Sequence, residues 1–224
     1  MTNKPNKTEL FKAVGAHLRE PKGEMGHNVA AKMNQTNRAM TEVAYDKLNP
    51  RPGFKMLEIG FGNGRLLPYL LDRVLPEGKL LGVDISRDMV LEADTFLQKA
   101  GYGGNYHLSQ SSSTALPAKD GELDGVVAVN AVYFWQEPSQ HLCEISRILK
   151  PEGRLVISVR GIAYMTALPF GKEGFVLRED QEYRDMLDQS GFEIMGEYKF
   201  VDEQLGEIKV DKPAEVIVFS ARKQ

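Results

Sequence analysis

Cysteine is nearly absent from this sequence, since Cys143 is the only one among 224 residues. A single cysteine excludes an internal disulfide and a zinc site built from several thiolates. The four histidines, His17, His27, His107 and His141, lack the spacing of metal ligands, so we predict no metal. This composition suits a reducing compartment, and we expect a cytoplasmic protein.

Long apolar runs are also missing. No stretch approaches the roughly 18–20 apolar residues that a membrane-spanning helix needs. The first ten residues are polar and charged, so we expect no signal peptide and no integral membrane segment.

A strong charge of either sign is the third absence. The formal net charge is −3, which supplies no field to attract a polyanion, so we expect a small-molecule partner and no nucleic acid. Residues 1–38 carry seven Lys or Arg against three Glu. This local excess is either a solvated helix face or a surface that favours an anionic acceptor or lipid headgroup. No sustained heptad indicates a partner, so monomer and homodimer are both compatible with the sequence.

What is present is the composition of a globular protein, with 42% hydrophobic and 26% charged residues. From Lys55 onward, short β-rich runs alternate with runs of helical period, the order that builds a mostly parallel sheet covered by helices. We therefore predict an α/β fold, doubly wound, with seven strands. The predicted strands are 55–59, 79–84, 105–108, 123–129, 154–159, 192–197 and 215–220.

The first 50 residues differ from the rest because they contain helical patterns and no strand-like run. Prolines and a glycine at Pro50, Pro52 and Gly53 mark a boundary after them. We predict one structural domain overall, with residues 1–50 as an N-terminal helical cap or lid and residues 51–224 as a cofactor-binding domain.

The most informative motif lies where the first predicted strand ends and a helix begins. It is an acid followed by alternating glycines, Glu58, Gly60, Gly62 and Gly64. Glycines at such a turn let a ligand lie against main-chain amides. A dinucleotide fingerprint requires G-x-G-x-x-G, but Arg65 or Leu67 occupies the third glycine position in the two possible registers. A nicotinamide-dependent oxidoreductase is therefore disfavoured.

The motif resembles the first motif of the class I S-adenosylmethionine-dependent methyltransferases, of the type 11-like, small-molecule group. The resemblance continues in the family's order through Asp84, the Leu116-Pro117 pair and the Leu149-Lys150-Pro151 segment. It implies a Rossmann-like sheet, S-adenosylmethionine as cofactor and S-adenosylhomocysteine as product. It also implies that Asp84 binds the ribose hydroxyls, and a carboxylate is independently suited to accept two hydrogen bonds from a diol.

The same resemblance implies further cofactor contacts. Ile85 and Met89 would flank the adenine, and Asn130 would lie near the methionine portion. Ser111 and Ser112 lie in the segment that resembles the adenine-binding loop. Ser112 stands where the family commonly has Asp, which puts that contact in doubt and leaves a hydroxyl or a backbone carbonyl to hold the adenine amino group.

Methyl transfer from a sulfonium needs mainly positioning and a dry pocket, so the acceptor leaves little trace in a sequence. We predict a small-molecule acceptor, apolar and quinone- or lipid-like. His27 and Tyr133 are candidate bases, although His27 also suits an exposed position and Tyr133 suits core packing. Met25, Met33 and Met40 in the cap, and the connection over residues 160–177, are candidate lids. The alternative function is a noncatalytic S-adenosylmethionine-binding sensor or complex subunit.

Overall fold

The structure is a computed structural model that describes residues 6–171, 173–203 and 210–224. Its strands are β1 Lys55–Ile59, β2 Lys79–Asp84, β3 Tyr106–Gln110, β4 Leu123–Val129, β5 Leu149–Arg160, β6 Phe192–Val201 and β7 Glu215–Lys223. Its α-helices are α1 Lys7–Arg19, α2 Gly23–Thr36, α3 Arg38–Leu48, α4 Leu67–Val74, α5 Arg87–Lys99, α6 Pro138–Ile148, α7 Ile162–Ala167 and α8 Asp180–Gln189, and a 3₁₀ turn spans Val132–Phe134.

The seven strands form one sheet in the order β3-β2-β1-β4-β5-β7-β6. Strands β1 to β5 pair in parallel with one another, and β7 pairs antiparallel with both β5 and β6. The strand order reverses at β1, where β2 lies on one side and β4 on the other. In open α/β sheets, ligands bind at the carboxyl ends of the strands beside such a reversal.

Alternate strand residues face opposite sides of the sheet, and each side has its own core. Leu155 and Ile157 of β5 pack in one cluster with α6 and α8, whereas Val156 packs in the other with α3, α4 and α5. The predicted α/β fold, doubly wound around a mostly parallel seven-stranded sheet, is confirmed.

All seven predicted strands occur, with differences only at their ends. β3 begins one residue later than predicted and continues to Gln110. β5 begins at Leu149 instead of Arg154, so Pro151 to Gly153 lie inside the strand, where Glu152 has a positive φ of 65°.

The first three helices are arranged in two ways. α1 packs on α2, while α3 packs against β4, β5 and β7. Met40, Ala44, Tyr45 and Leu48 of α3 are fully buried, so this helix is part of the layer that covers the sheet. The boundary near residue 50 remains a prediction.

Candidate functional site

A cavity of about 290 Å³ lies at the carboxyl ends of the central strands. Residues that follow β1, β2 and β3 form one wall, which we name the β2 side. Residues that follow β4 and β5 form the opposite wall, the β5 side. Helices α1 and α2 contribute the remaining wall with His17, Leu18, Arg19, Pro21, Val29, Ala30, Met33, Asn34 and Thr36.

The glycine loop holds the centre of the β2 side. The Gly60 N–H donates to the Val83 carbonyl at 2.8 Å, which continues the β1–β2 ladder, and the Gly62 N–H donates to an Asp84 carboxylate oxygen at 2.9 Å. A β carbon on Gly62 would meet no atom within 4 Å, whereas one on Gly64 would lie 2.6 Å from the Ala93 β carbon. Gly62 therefore leaves space in the cavity, and Gly64 lets the loop pack against α5.

Asp84 ends β2 with its carboxylate between two main-chain donors. One oxygen accepts from Gly62, and the other accepts from the Ser86 N–H at 2.8 Å. Burial raises the pKa of Asp84 to about 6, although the backbone hydrogen bonds oppose this rise. The group is thus held in place and still ionised for the most part at neutral pH.

Glu58 is the second buried acid of the β2 side. It accepts a short hydrogen bond from the Tyr45 hydroxyl of α3. Burial raises the pKa of Glu58 to about 7, and the charge of Asp84 adds to the rise while the Tyr45 hydrogen bond opposes it. The two acids therefore lie on the same cavity wall, where the charge of Asp84 disfavours ionisation of Glu58.

The loop after β3 carries three serines on the cavity wall, Ser111, Ser112 and Ser113. The Ser111 N–H donates to the Asp84 carbonyl, and the Ser111 hydroxyl donates to the Ala115 carbonyl at 2.6 Å. Ser112 is exposed and pairs with Thr114. Ser113 is buried, and its hydroxyl lies 2.7 Å from Nδ1 of His141 in α6.

Asn130 follows β4 in a left-handed conformation with φ of 53°, and its side-chain amide donates to the Met40 sulfur at 3.2 Å. Tyr133 lies nearby with a fully buried hydroxyl that accepts a short hydrogen bond from the Arg160 N–H. Burial raises the pKa of Tyr133 well above its usual value, so its phenol is neutral at physiological pH.

The β5 side is otherwise aromatic and apolar, with one buried cation. Its wall includes Phe134, Trp135, Tyr164, Met165, Leu168, Phe170 and Phe175. The Phe175 ring lies 5.9 Å from Tyr133 and 5.2 Å from Phe134, centroid to centroid. Arg160 donates to Asp202 at 2.8 Å and to the carbonyl of Thr36, the last residue of α2.

The turn between α1 and α2 is fastened to α5 beside the cavity. The Ser86 hydroxyl donates to the Pro21 carbonyl, and the Gly23 N–H donates to Asp88 at 2.8 Å. His27 of α2 is exposed, and its Nδ1 lies 2.6 Å from Glu92 of α5. These contacts hold the N-terminal helices over the Asp84 end of the cavity.

Most of the predicted cofactor-binding residues come together on the cavity wall, namely Glu58, Gly60, Gly62, Asp84, Ile85, Ser111, Ser112 and Asn130. Three predicted residues lie elsewhere. Gly64 packs under α5, Met89 is completely buried, and His27 lies in a separate shallow groove with Arg65 and Glu92. Met89 was assigned by the resemblance and His27 by its place in the N-terminal segment, and neither shows toward which side of a helix a side chain points.

Other wall residues were not predicted, chiefly His141, Ser113 and the role of Arg160. Of the three candidate lid methionines, Met33 lines the cavity and Met40 is core. Sequence spacing cannot bring Ser113 next to His141, which is 28 residues away.

Within the three described ranges, no group of three or more His, Cys, Asp or Glu is arranged to hold a metal ion. No helix in those ranges is long and apolar enough to cross a membrane.

This strand order, with an acid and glycine loop after β1 and an acid at the end of β2, defines the fold of the class I S-adenosylmethionine-dependent methyltransferases. Residues 57–157 match the family model described as "Methyltransferase domain". Over these residues the chain is similar to this family, and the resemblance predicted from sequence is confirmed there. S-adenosylmethionine is the cofactor of the class.

Two curated relatives are similar over part of the chain. The ubiquinone/menaquinone biosynthesis C-methyltransferase UbiE of Hahella chejuensis is 31% identical over 138 residues, which cover 58% of this chain and 55% of that protein. The nocamycin O-methyltransferase of Saccharothrix syringae is 31% identical over 111 residues, which cover 49% of this chain and 39% of that protein. The chain thus spans about half the length of these relatives or less.

One solved structure is similar over nearly the whole chain. It is the geranyl diphosphate C-methyltransferase of Streptomyces coelicolor in complex with Mg²⁺, geranyl diphosphate and S-adenosyl-L-homocysteine. The TM-score is 0.72 at 12% identity, with 99% of this chain and 100% of that chain covered. At this identity the likeness concerns the fold.

Proposed function

We propose that this protein transfers the methyl group of S-adenosylmethionine to a small, apolar, quinone- or lipid-like acceptor. The observation that carries the proposal is that two buried acids and a glycine loop line the same cavity as an aromatic wall. The acids and loop suit a nucleoside cofactor, and the aromatic wall suits a flat apolar acceptor beside it.

The β2 side fits the cofactor. Gly62 lines the cavity and a β carbon on it would meet no atom within 4 Å, so a ligand has room to lie against the main chain. The Asp84 carboxylate, fixed at the end of β2, would hold the ribose hydroxyls, and Glu58 lies behind it. When bound, the cofactor supplies an activated methyl group and a neutral leaving group.

The β5 side fits an apolar acceptor. Phe134, Tyr164, Phe170 and Phe175 line it, and their apolar surface favours a planar or hydrocarbon ligand over a charged one. The two curated relatives bear the names of a carbon and an oxygen methyltransferase, so they leave the acceptor atom of this protein open.

The chain's own residues would act mainly by positioning and by excluding water. The neutral Tyr133 phenol accepts a hydrogen bond from the Arg160 N–H, so it is better suited to position the wall residues than to remove a proton. His27 is outside the cavity. A general base is therefore no necessary part of the proposal.

Helices α1 and α2 would serve as the lid over this site, and residues 51–224 as the cofactor-binding part. The expectation of a cytoplasmic protein, monomeric or homodimeric, belongs to this proposal as well.

The first test is calorimetric titration with S-adenosylhomocysteine, with NAD as a control ligand. We expect micromolar binding of S-adenosylhomocysteine, no binding of NAD, and loss of binding in Asp84→Ala. Asp72→Ala is a matched control, because Asp72 is an α4 acid that pairs with Tyr102 away from the cavity. Binding of NAD instead, or unchanged binding by Asp84→Ala, would overturn the cofactor assignment.

The second test measures turnover with methyl-labelled S-adenosylmethionine and a panel of hydroquinones, phenols and isoprenoid lipids. Labelled product from at least one apolar acceptor supports the proposal. Cofactor binding without transfer to any of them favours the noncatalytic sensor or complex subunit instead.

A further inference from the structure

The adenine end of the proposed cofactor site contains a polar side chain, His141, that no sequence motif predicted. The base is attached to the ribose, so it would extend from Asp84 toward the loop after β3. The cavity wall there consists of Ile85 and the serines 111–113. Ser112, at the position where an acid was expected, is exposed and bonds Thr114, which leaves the adenine amino group without an obvious acceptor.

His141 reaches the same wall from α6. Its Nδ1 lies 2.7 Å from the hydroxyl of the buried Ser113, and its ring stacks on Trp135 at 4.6 Å between centroids with an angle of 5°. Two contacts from two directions fix the plane of the imidazole. Ser113 is its hydrogen-bond partner within the described residues, and Nε2 has none there.

Nε2 is accessible, and the residue that carries it lines the cavity. Nε2 has no partner among the described residues and is not fully buried, so a ligand in the cavity can reach it. We propose that Nε2 of His141 accepts a hydrogen bond from the exocyclic amino group of the cofactor's adenine, in place of the acid that the β3 loop lacks.

The protonation state agrees with this geometry. An amino group only donates here, so it requires a neutral imidazole whose Nδ1–H donates to Ser113 and whose Nε2 accepts. Burial lowers the pKa of His141 to about 4, which keeps the ring neutral at physiological pH. The inference rests on the proposed function, because it needs S-adenosylmethionine in this cavity.

The test combines a ligand change with a residue change, which isolates one contact. The ligands are S-adenosylhomocysteine and its analogue with unsubstituted purine, which lacks only the amino group. We expect the wild type to bind the adenine compound about tenfold more tightly, as one hydrogen bond contributes. In His141→Phe, which keeps the stacking on Trp135, the ratio should approach one.

Two further variants guard the interpretation. His107→Phe changes an exposed histidine of β3 and should keep the wild-type ratio. His141→Gln offers another acceptor and should restore part of it. If His141→Phe does not fold, Ser113→Ala decides, because the loss of the ring's anchor should lower the ratio.

The outcomes separate this inference from the proposed function. No binding of S-adenosylhomocysteine by the wild type would overturn both. Tight binding with equal ratios in wild type and His141→Phe would overturn only the role of His141, as would a wild-type ratio near one.

Discussion

The β2 side and the β5 side of the cavity are built by different means. The β2 side uses main-chain amides and acids that follow consecutive strands, with Gly62 and Asp84 in direct contact. The β5 side uses side chains from separate segments, and Arg160 joins β5 to α2 and to Asp202.

This difference indicates which side of the cavity tolerates changes in sequence. The β2 side depends on backbone positions with φ above zero and on one carboxylate, so few sequences can form it. The β5 side depends on apolar volume, and many combinations of aromatic side chains fill the same space. A family can thus keep one cofactor while its acceptors differ.

A pair of glycine variants gives the largest expected effect and tests how the β2 side is built. We expect Gly64→Ala to lower the free energy of unfolding by about 3 kcal/mol, because its β carbon would collide with Ala93 at a positive φ. Gly62→Ala should lower the free energy of unfolding by about 1–2 kcal/mol, from backbone strain alone. It should nevertheless weaken the binding of S-adenosylhomocysteine more than Gly64→Ala does. Urea unfolding and calorimetry measure both. Equal losses of stability would show that Gly62 is also a packing residue.

The pH dependence of cofactor binding sharpens the account of the β2 side. The pKa of Asp84 is raised to about 6, so the ionised form that accepts two hydrogen bonds prevails above that pH. Affinity for S-adenosylhomocysteine should be constant above it and fall up to about tenfold per pH unit below it.

Asp84→Asn should show weak, flat binding between pH 5 and 8. Glu58→Gln removes the neighbouring titration with a pKa of about 7 and should leave the fall below pH 6 in place. Affinity that rises toward low pH would contradict the assigned role of the carboxylate.

A hydroxyl deletion tests the β5 side. Tyr133→Phe leaves the Arg160 N–H without its partner, so we expect a loss of about 1 kcal/mol in stability. Turnover per folded molecule should fall only a few-fold. A drop in kcat of a thousandfold or more at unchanged stability would instead make the phenol a catalytic base.

The smallest expected effect concerns the boundary between the two sides. Trp135 is the only tryptophan of the chain, and its fluorescence should be quenched when the stacked His141 gains a proton. We expect a midpoint near pH 4 instead of 6.5. Trp135 fluorescence that changes near pH 6.5 would mean that the ring is not desolvated.

The sequence predicted the sheet and the β2 side for the same physical reason. Strand periodicity and a glycine loop are local patterns, and the acids Glu58 and Asp84 lie at strand ends that a parallel sheet necessarily brings together. The resemblance to a known family then gave these residues their roles.

The site contacts that the sequence did not predict depend on long-range packing. The contact between Ser113 and His141 requires the exact placement of α6 on the sheet, and the pairing of Arg160 with Thr36 spans more than half of the chain. His27 lies in an exposed groove beside Glu92 instead of on the cavity wall, because the rotation of α2 about its axis decides between cavity and solvent, and its role as a base stays a prediction. Local periodicity does not carry this information.

The fastening of Pro21 to Ser86 bears on the timing of the reaction. Ser86 also donates its N–H to Asp84, so the residue that binds the turn between α1 and α2 also supports the Asp84 carboxylate. Movement of this turn away from Ser86 would therefore also weaken the binding of the nucleoside by Asp84. We therefore expect Ser86→Ala to shorten the residence time of S-adenosylhomocysteine, measured as a faster dissociation rate.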